Sequence, residues 1–214
     1  MMKRKNSLIL ILLCSLLFLL ACTKDIGGPE QCFNSDVLPI FVSNCAMSGC
    51  HNSVDKAADY DFTSYEGIMQ GIKPKHPLFS EIYKSIKGNN PSMPIQPYSK
   101  LSSKDVNTIK IWINMGAKNT NACNTCDTVN FTYSGRIKKI VDAWCVGCHS
   151  SSSSGGNYNL SNYAGLVAVA HTDKLLGSIK HLPGYLPMPQ NSSPMQSCDV
   201  DAIQKWVLAG CPNN

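Results

Sequence analysis

The sequence predicts an all-α protein of two small domains in tandem behind an export signal, and three observations point there. Two long stretches repeat one another, the segment that closes each copy carries apolar residues at helical spacing, and the N-terminus pairs a basic group with a short apolar run. The 214 residues suffice for one medium domain or two small ones, since domains usually take about 100–150 residues. A hydrophobic share of 43% against a charged share of 15% leaves material for a core, and 12 Pro and 15 Gly call for extensive loops. That balance excludes disorder and collagen.

The elements follow in chain order. Lys3-Arg4-Lys5 precedes an apolar run from Leu8 to Ala21, 14 residues long, whereas a membrane-spanning helix needs about 20. Residues 1–21 therefore read as a signal peptide. The ending Leu19-Leu20-Ala21-Cys22 resembles a bacterial lipoprotein signal. That resemblance implies that Cys22 is lipidated and that residues 22–31, with Gly27-Gly28-Pro29, form a lipid-anchored tether. It also implies an exported lipoprotein on the periplasmic or cell-surface face of a membrane, with the outer membrane the expected one. The alternative is an ordinary signal peptide in which Cys22 is incidental. Lys3, Arg4 and Lys5 leave with the signal and no acid does, which takes the formal charge from +5 to +2. A nucleic-acid partner has no electrostatic support.

The repeat divides the remainder into a first domain at 32–120, a linker with a Cys-x-x-Cys at 121–130, and a second domain at 131–214. Pro39–Val42 before Cys45 matches Lys139–Asp142 before Cys145, each the end of an amphipathic segment. Asp59–Gly67 parallels Asn157–Gly165, Ser85-Ile86-Lys87 parallels Ser178-Ile179-Lys180, and Met93-Pro94 parallels Met188-Pro189. In the closing helices Val106, Ile109, Trp112 and Ile113 share a face, as do Val200, Ile203, Trp206 and Val207 over 199–210. Ser102-x-x-Asp105 predicts a capping box, and Gly116, Gly210 and Pro212 predict the stops. Trp112 and Trp206 read as packing residues.

Eleven cysteines in an exported chain first suggest a disulfide scaffold, but their contexts differ. Cys14 leaves with the signal. Cys145-Val146-Gly147-Cys148-His149 is the Cys-x-x-Cys-His pattern of covalent c-type haem attachment, with two thiols for the vinyl groups and an imidazole for the iron. Cys45-Ala46-Met47-Ser48-Gly49-Cys50-His51 keeps the Cys-His end with a four-residue spacer, so that a bridged or metal-binding Cys45 and Cys50 stays open.

With these residues together, the chain resembles the c-type cytochrome superfamily, as a tandem di-haem lipoprotein of two class I-like domains over about residues 32–214. The resemblance implies two covalently bound haem c groups. Cys45, Cys50 and His51 would bind one, and Cys145, Cys148 and His149 the other. It also implies Met-Pro loops that supply the sixth iron ligand, which selects Met93 and Met188, and prolines beside them stiffen the loops. His76 and His171 are the rival ligands, while His181 is expected to be a loop residue. Met47, Met69, Met115 and Met195 have no partner in the other copy and read as packing or surface. Each thin core would depend on its macrocycle, so the apo-protein should fold poorly.

Cys123, Cys126, Cys198, Cys211 and Cys32 remain. A helix over 199–210 keeps Cys198 and Cys211 apart, which suggests that the junction pair Cys123 and Cys126 staples to them and leaves Cys32 free or intermolecular. The expected function is single-electron transfer between redox partner proteins at a membrane surface, without bond-making catalysis. Two alternatives stay open: a di-haem peroxidase-like enzyme with one open haem site, and a one-haem lipoprotein whose first domain is a docking module.

Overall fold

A computed structural model describes residues 31–120, 127, 129–151 and 155–214. The expected signal peptide, the anchor Cys22, and the junction cysteines Cys123 and Cys126 lie outside the described residues. Among those described, the elements are helices and turns with no strand, in line with the all-α expectation. No described helix is long and apolar enough to cross a membrane.

The first half begins with a π turn, Phe33–Val37, that runs into α1, Leu38–Asn44. Pro39 sits in the first turn of α1, where its missing N–H leaves no hydrogen bond unmade. A short loop with a 3₁₀ turn at Ala57–Asp59 leads to α2, Tyr65–Met69. Another such turn, Pro77–Phe79, leads to α3, Glu81–Ile86, and the half closes with α4, Ser103–Asn114. The Ser102 hydroxyl accepts the Asp105 N–H at 3.1 Å and donates to its carboxylate at 2.7 Å, so the expected cap is formed. Gly116, at φ +99°, stops α4 as expected, because only glycine takes that conformation without strain.

The predicted faces of α4 supply the core. Ile109, Trp112 and Ile113 are fully buried against Phe33, Phe41 and Ile68. Each such side chain contributes about 1.5–3 kcal/mol. The polar ends of the aromatics are satisfied: Trp112 Nε1 donates to the Lys118 carbonyl at 3.0 Å, and the Tyr65 hydroxyl donates to the Ala117 carbonyl at 2.7 Å. The half closes on itself, with Phe33 N donating to Thr120 Oγ1 at 2.9 Å.

The second half repeats this order. A π turn at Tyr133–Ile137 enters α5, Lys138–Trp144. A 3₁₀ turn at Gly155–Asn157 precedes α6, Tyr163–Ala170, then α7, Lys174–Ile179, and α8, Ser197–Leu208. Its hydrogen bonds recur as well. Trp206 Nε1 donates to Pro212 O at 2.9 Å, the Tyr163 hydroxyl to Cys211 O at 2.6 Å, and Ser134 N to Asn214 O at 2.8 Å. Ile137, Leu166, Ile203 and Trp206 fill its core.

The halves meet where α1 packs on α5. Val42 of α1 is buried in the second core, and a Cβ on Gly147 would lie 1.9 Å from the Ser43 carbonyl oxygen. Farther out, Ser53 Oγ donates to Asn191 O at 2.7 Å. This crossing sets the chain after α1 beside the chain after α5, and both cysteine–histidine motifs lie there.

The cysteine pairing differs from expectation. Cys198 is disulfide-bonded as expected, but Cys32, expected to be free or intermolecular, is disulfide-bonded too, and Cys211, expected to be bridged, is a buried free thiol. Cys211 occupies the repeat position of Ala117: both are buried at positive φ, and both accept the tyrosine hydroxyl through their carbonyls. The position takes a small buried side chain, which a thiol supplies without a bridge. Cys32 lies instead against the end of its own half, with its Sγ 3.3 Å from Thr120 O.

Candidate functional site

Among the described residues a cavity lies behind the cysteine–histidine motif of each half. The first, of about 290 Å³, is lined by Cys45, Cys50, His51 and Met93 together with Phe41, Phe62 and Ile82. The second, of about 530 Å³, is lined by Cys145, Cys148, His149 and Met188 together with Trp144, Leu160 and Leu175. All eight residues that the sequence reading selected are thus brought to two walls, four to each. His76 and His171, the rival ligands, are exposed and line neither cavity.

The two motifs reach one geometry from different spacers. Cys45 N and Cys145 N both bond the helix carbonyl four residues back, and His51 N and His149 N both return to the first cysteine's carbonyl, at 3.1 and 2.9 Å. The two extra residues of the first motif are absorbed by a bulge. Gly49, at φ +78°, donates its N–H to Asp55 Oδ2 at 2.7 Å, and fully buried Asn52 donates to Met47 O at 2.9 Å. Asn52 and then Gly49 also hold the Asp55 carboxyl below the usual carboxylate range. Nothing in the local sequence marked Asn52 as the organiser of this loop.

Both histidines are oriented in the same way. His51 Nδ1 lies 2.7 Å from Ala57 O, and His149 Nδ1 lies 2.8 Å from Gly155 O. A carbonyl can only accept, so Nδ1 carries the hydrogen and Nε2 keeps the lone pair needed by a metal. The methionine loops are also fixed alike. Met93 N donates to Ser85 O and Met188 N to Ser178 O, each at 3.0 Å. His181 has a role that the sequence did not suggest, its Nε2 donating to Met188 O at 3.1 Å.

Burial pushes the thiols of Cys45 and Cys145 up to about 12, with the neighbouring Cys50 and Cys148 adding to the effect. Cys50 is raised by burial and then Asp55, and Cys148 by burial and then Cys50. These are protonated, unbridged thiols, not nucleophilic thiolates. Among the described residues no group of three or more His, Cys, Asp and Glu could hold a bare metal ion.

The remaining methionines divide. Met195 is buried, as packing predicts, on the wall of the second cavity. Met47 does more than pack, because it lines both cavities. With it Ala46 and Ser48, from the longer spacer of the first motif, reach the second cavity. Sequence reasoning also missed one charged residue in each lining. The Tyr60 hydroxyl donates to Glu81 Oε2 at 2.9 Å in the first, and Lys174 Nζ donates to the Tyr158 hydroxyl at 2.9 Å in the second. The repeat register was the signal that could have found them. Comparison with known proteins gives no match among family models, curated proteins or solved structures.

Proposed function

We propose that the chain is a membrane-anchored di-haem c-type cytochrome that transfers single electrons between redox partner proteins at a membrane surface. One observation carries this reading: the same cavity is built twice, each lined by two cysteines, a methionine and a histidine whose Nδ1 is tied to a backbone carbonyl. The donor set fits haem c. Cys45 with Cys50 and Cys145 with Cys148 would hold it through thioethers, His51 and His149 would present Nε2 to iron, and Met93 and Met188 would supply the sixth ligand. Haem supplies reversible one-electron chemistry at iron.

The chain's own groups do the rest. The Nδ1 hydrogen bonds fix the imidazole tautomer and make Nε2 a better donor. The Ser85 and Ser178 carbonyls, with His181 in the second half, limit the freedom of the methionine loops, and a thioether raises the reduction potential relative to a second imidazole. Apolar walls exclude water. Cys22 would tether the assembly without a spanning helix.

Intact mass of the mature protein, made in a host with haem-attachment machinery and combined with a denatured haem assay, tests the reading. Two covalent haems per chain are expected. One haem, confined to Cys145 and Cys148, would recast the first half as a docking module; none would refute the proposal. The rival reading is a peroxidase-like enzyme, in which Met93 would leave the iron. Consumption of hydrogen peroxide with Met93 off the iron would establish it.

A further inference from the structure

The two cavities differ in one respect that bears on the direction of electron flow. Among the described residues each lining includes a single side chain of fixed charge, Glu81 in the first and Lys174 in the second. These are the same repeat position. Glu81 opens α3 and Lys174 opens α7, four residues before the matched Ser85 and Ser178. In both halves a matched tyrosine, Tyr60 or Tyr158, holds the charged group by a hydrogen bond of 2.9 Å. The scaffold is duplicated while the sign is reversed.

A nearby carboxylate favours the oxidised, more positive state of an iron centre, and a nearby ammonium favours the reduced state. Haem propionates would add the same charge to both sites, so they do not cancel this difference. The sites are also adjacent, since Met47 lines both cavities and Cys148 Sγ lies 3.9 Å from Ser43 O of the first half.

Resting on the reading of the cavities as haem sites, we propose that Glu81 and Lys174 set the two centres at unequal reduction potentials, the first lower and the second higher. An electron shared by the pair then rests at the second site. Transfer between them moves one electron: the first iron is oxidised from ferrous to ferric as the second is reduced from ferric to ferrous. An external one-electron donor protein supplies that electron and an external one-electron acceptor protein removes it, with no bond made or broken.

The test is an optical redox titration of the two-haem protein at an ionic strength of about 0.01 M, where the screening length is about 30 Å. Glu81→Gln should raise the lower-potential component alone, and Lys174→Gln should lower the higher one alone. Glu81→Lys combined with Lys174→Glu should narrow or invert the gap. Glu81→Asp and Lys174→Arg preserve the charges and should preserve the gap, which separates charge from a packing effect. Added salt should shrink it. Components that stay put in both glutamine variants, or a Glu81→Gln shift confined to the higher component, would overturn this inference and leave the haem reading intact. A protein without two covalent haems would overturn both.

Discussion

Gly147→Ala tests whether the two halves are one packed unit. Gly147 lies inside Cys145-Val146-Gly147-Cys148-His149, and the attachment pattern accepts any residue there. Its smallness is therefore required by the neighbouring half. A Cβ at this position would lie 1.9 Å from Ser43 O and 2.6 Å from Ser43 C, while ordinary contact begins near 3.4 Å. The crossing of α1 and α5 must open by about 1.5 Å to admit the methyl group, an overpacking that costs about 1–3 kcal/mol. The clash is with backbone, so no truncation of the Ser43 side chain relieves it. For a half of about 90 residues, at about 4–8 °C per kcal/mol, the melting temperature should fall by about 4–24 °C. Val42, Ser43, Ala46 and Met47 wall the second cavity, so the optical spectrum and potential of the proposed second haem should change more than those of the first. Thermal unfolding followed by circular dichroism, with a redox titration alongside, measures both. A variant that melts within about 2 °C of the parent with an unaltered second centre would refute the argument.

Other expected outcomes concern single groups. His149→Ala should abolish stable haem in the second half and spare the first, read from pyridine haemochrome per chain; loss of both would mean that the halves fold as one cooperative unit. Met188→Ala should leave haem attached, lower one potential by removing the thioether and admit cyanide or imidazole, whereas an unchanged spectrum would remove Met188 from the ligand set. Asp199 is raised from its ordinary value by burial, against the opposing pull of Trp144 Nε1 at 3.3 Å and Arg136 at 3.5 Å. A raised folded-state carboxyl binds its proton more tightly than the unfolded chain does. Its contribution is full below the unfolded pKa of 3.8 and is lost as pH rises through the higher folded value. Wild type should therefore gain stability relative to Asp199→Asn as pH falls across that window in denaturant melts, and a flat or opposite difference would contradict the assignment.

Much of the local structure was legible. The faces of α4 and α8, the Ser102 cap and the Gly116 stop all depend on residues three or four apart, and that spacing is written directly in the chain. The repeat register correctly paired α1 with α5 and Met93 with Met188, because copies of one unit share local hydrogen bonds. The second closing helix runs Ser197–Leu208, two residues before the expected 199–210, since it starts at Ser197 without a side-chain cap to mark it. Cysteine pairing failed at Cys32 and Cys211 because it depends on which ends meet in space: Cys32 abuts Thr120, while Cys211 is sealed beneath Tyr163.

The sequence by itself therefore determined the all-helical class, the duplication and the supply of thiols, imidazoles and thioethers, because each is carried by residues adjacent in the chain. Only the tertiary structure decided that Gly147 must stay small, that Met47 serves two cavities, and that Glu81 and Lys174 face equivalent sites with opposite charge. Gly147 and Met47 meet the other half across about 100 residues of chain, while Glu81 and Lys174 meet their tyrosines across 21 and 16, and no local propensity encodes such a distance until packing fixes it.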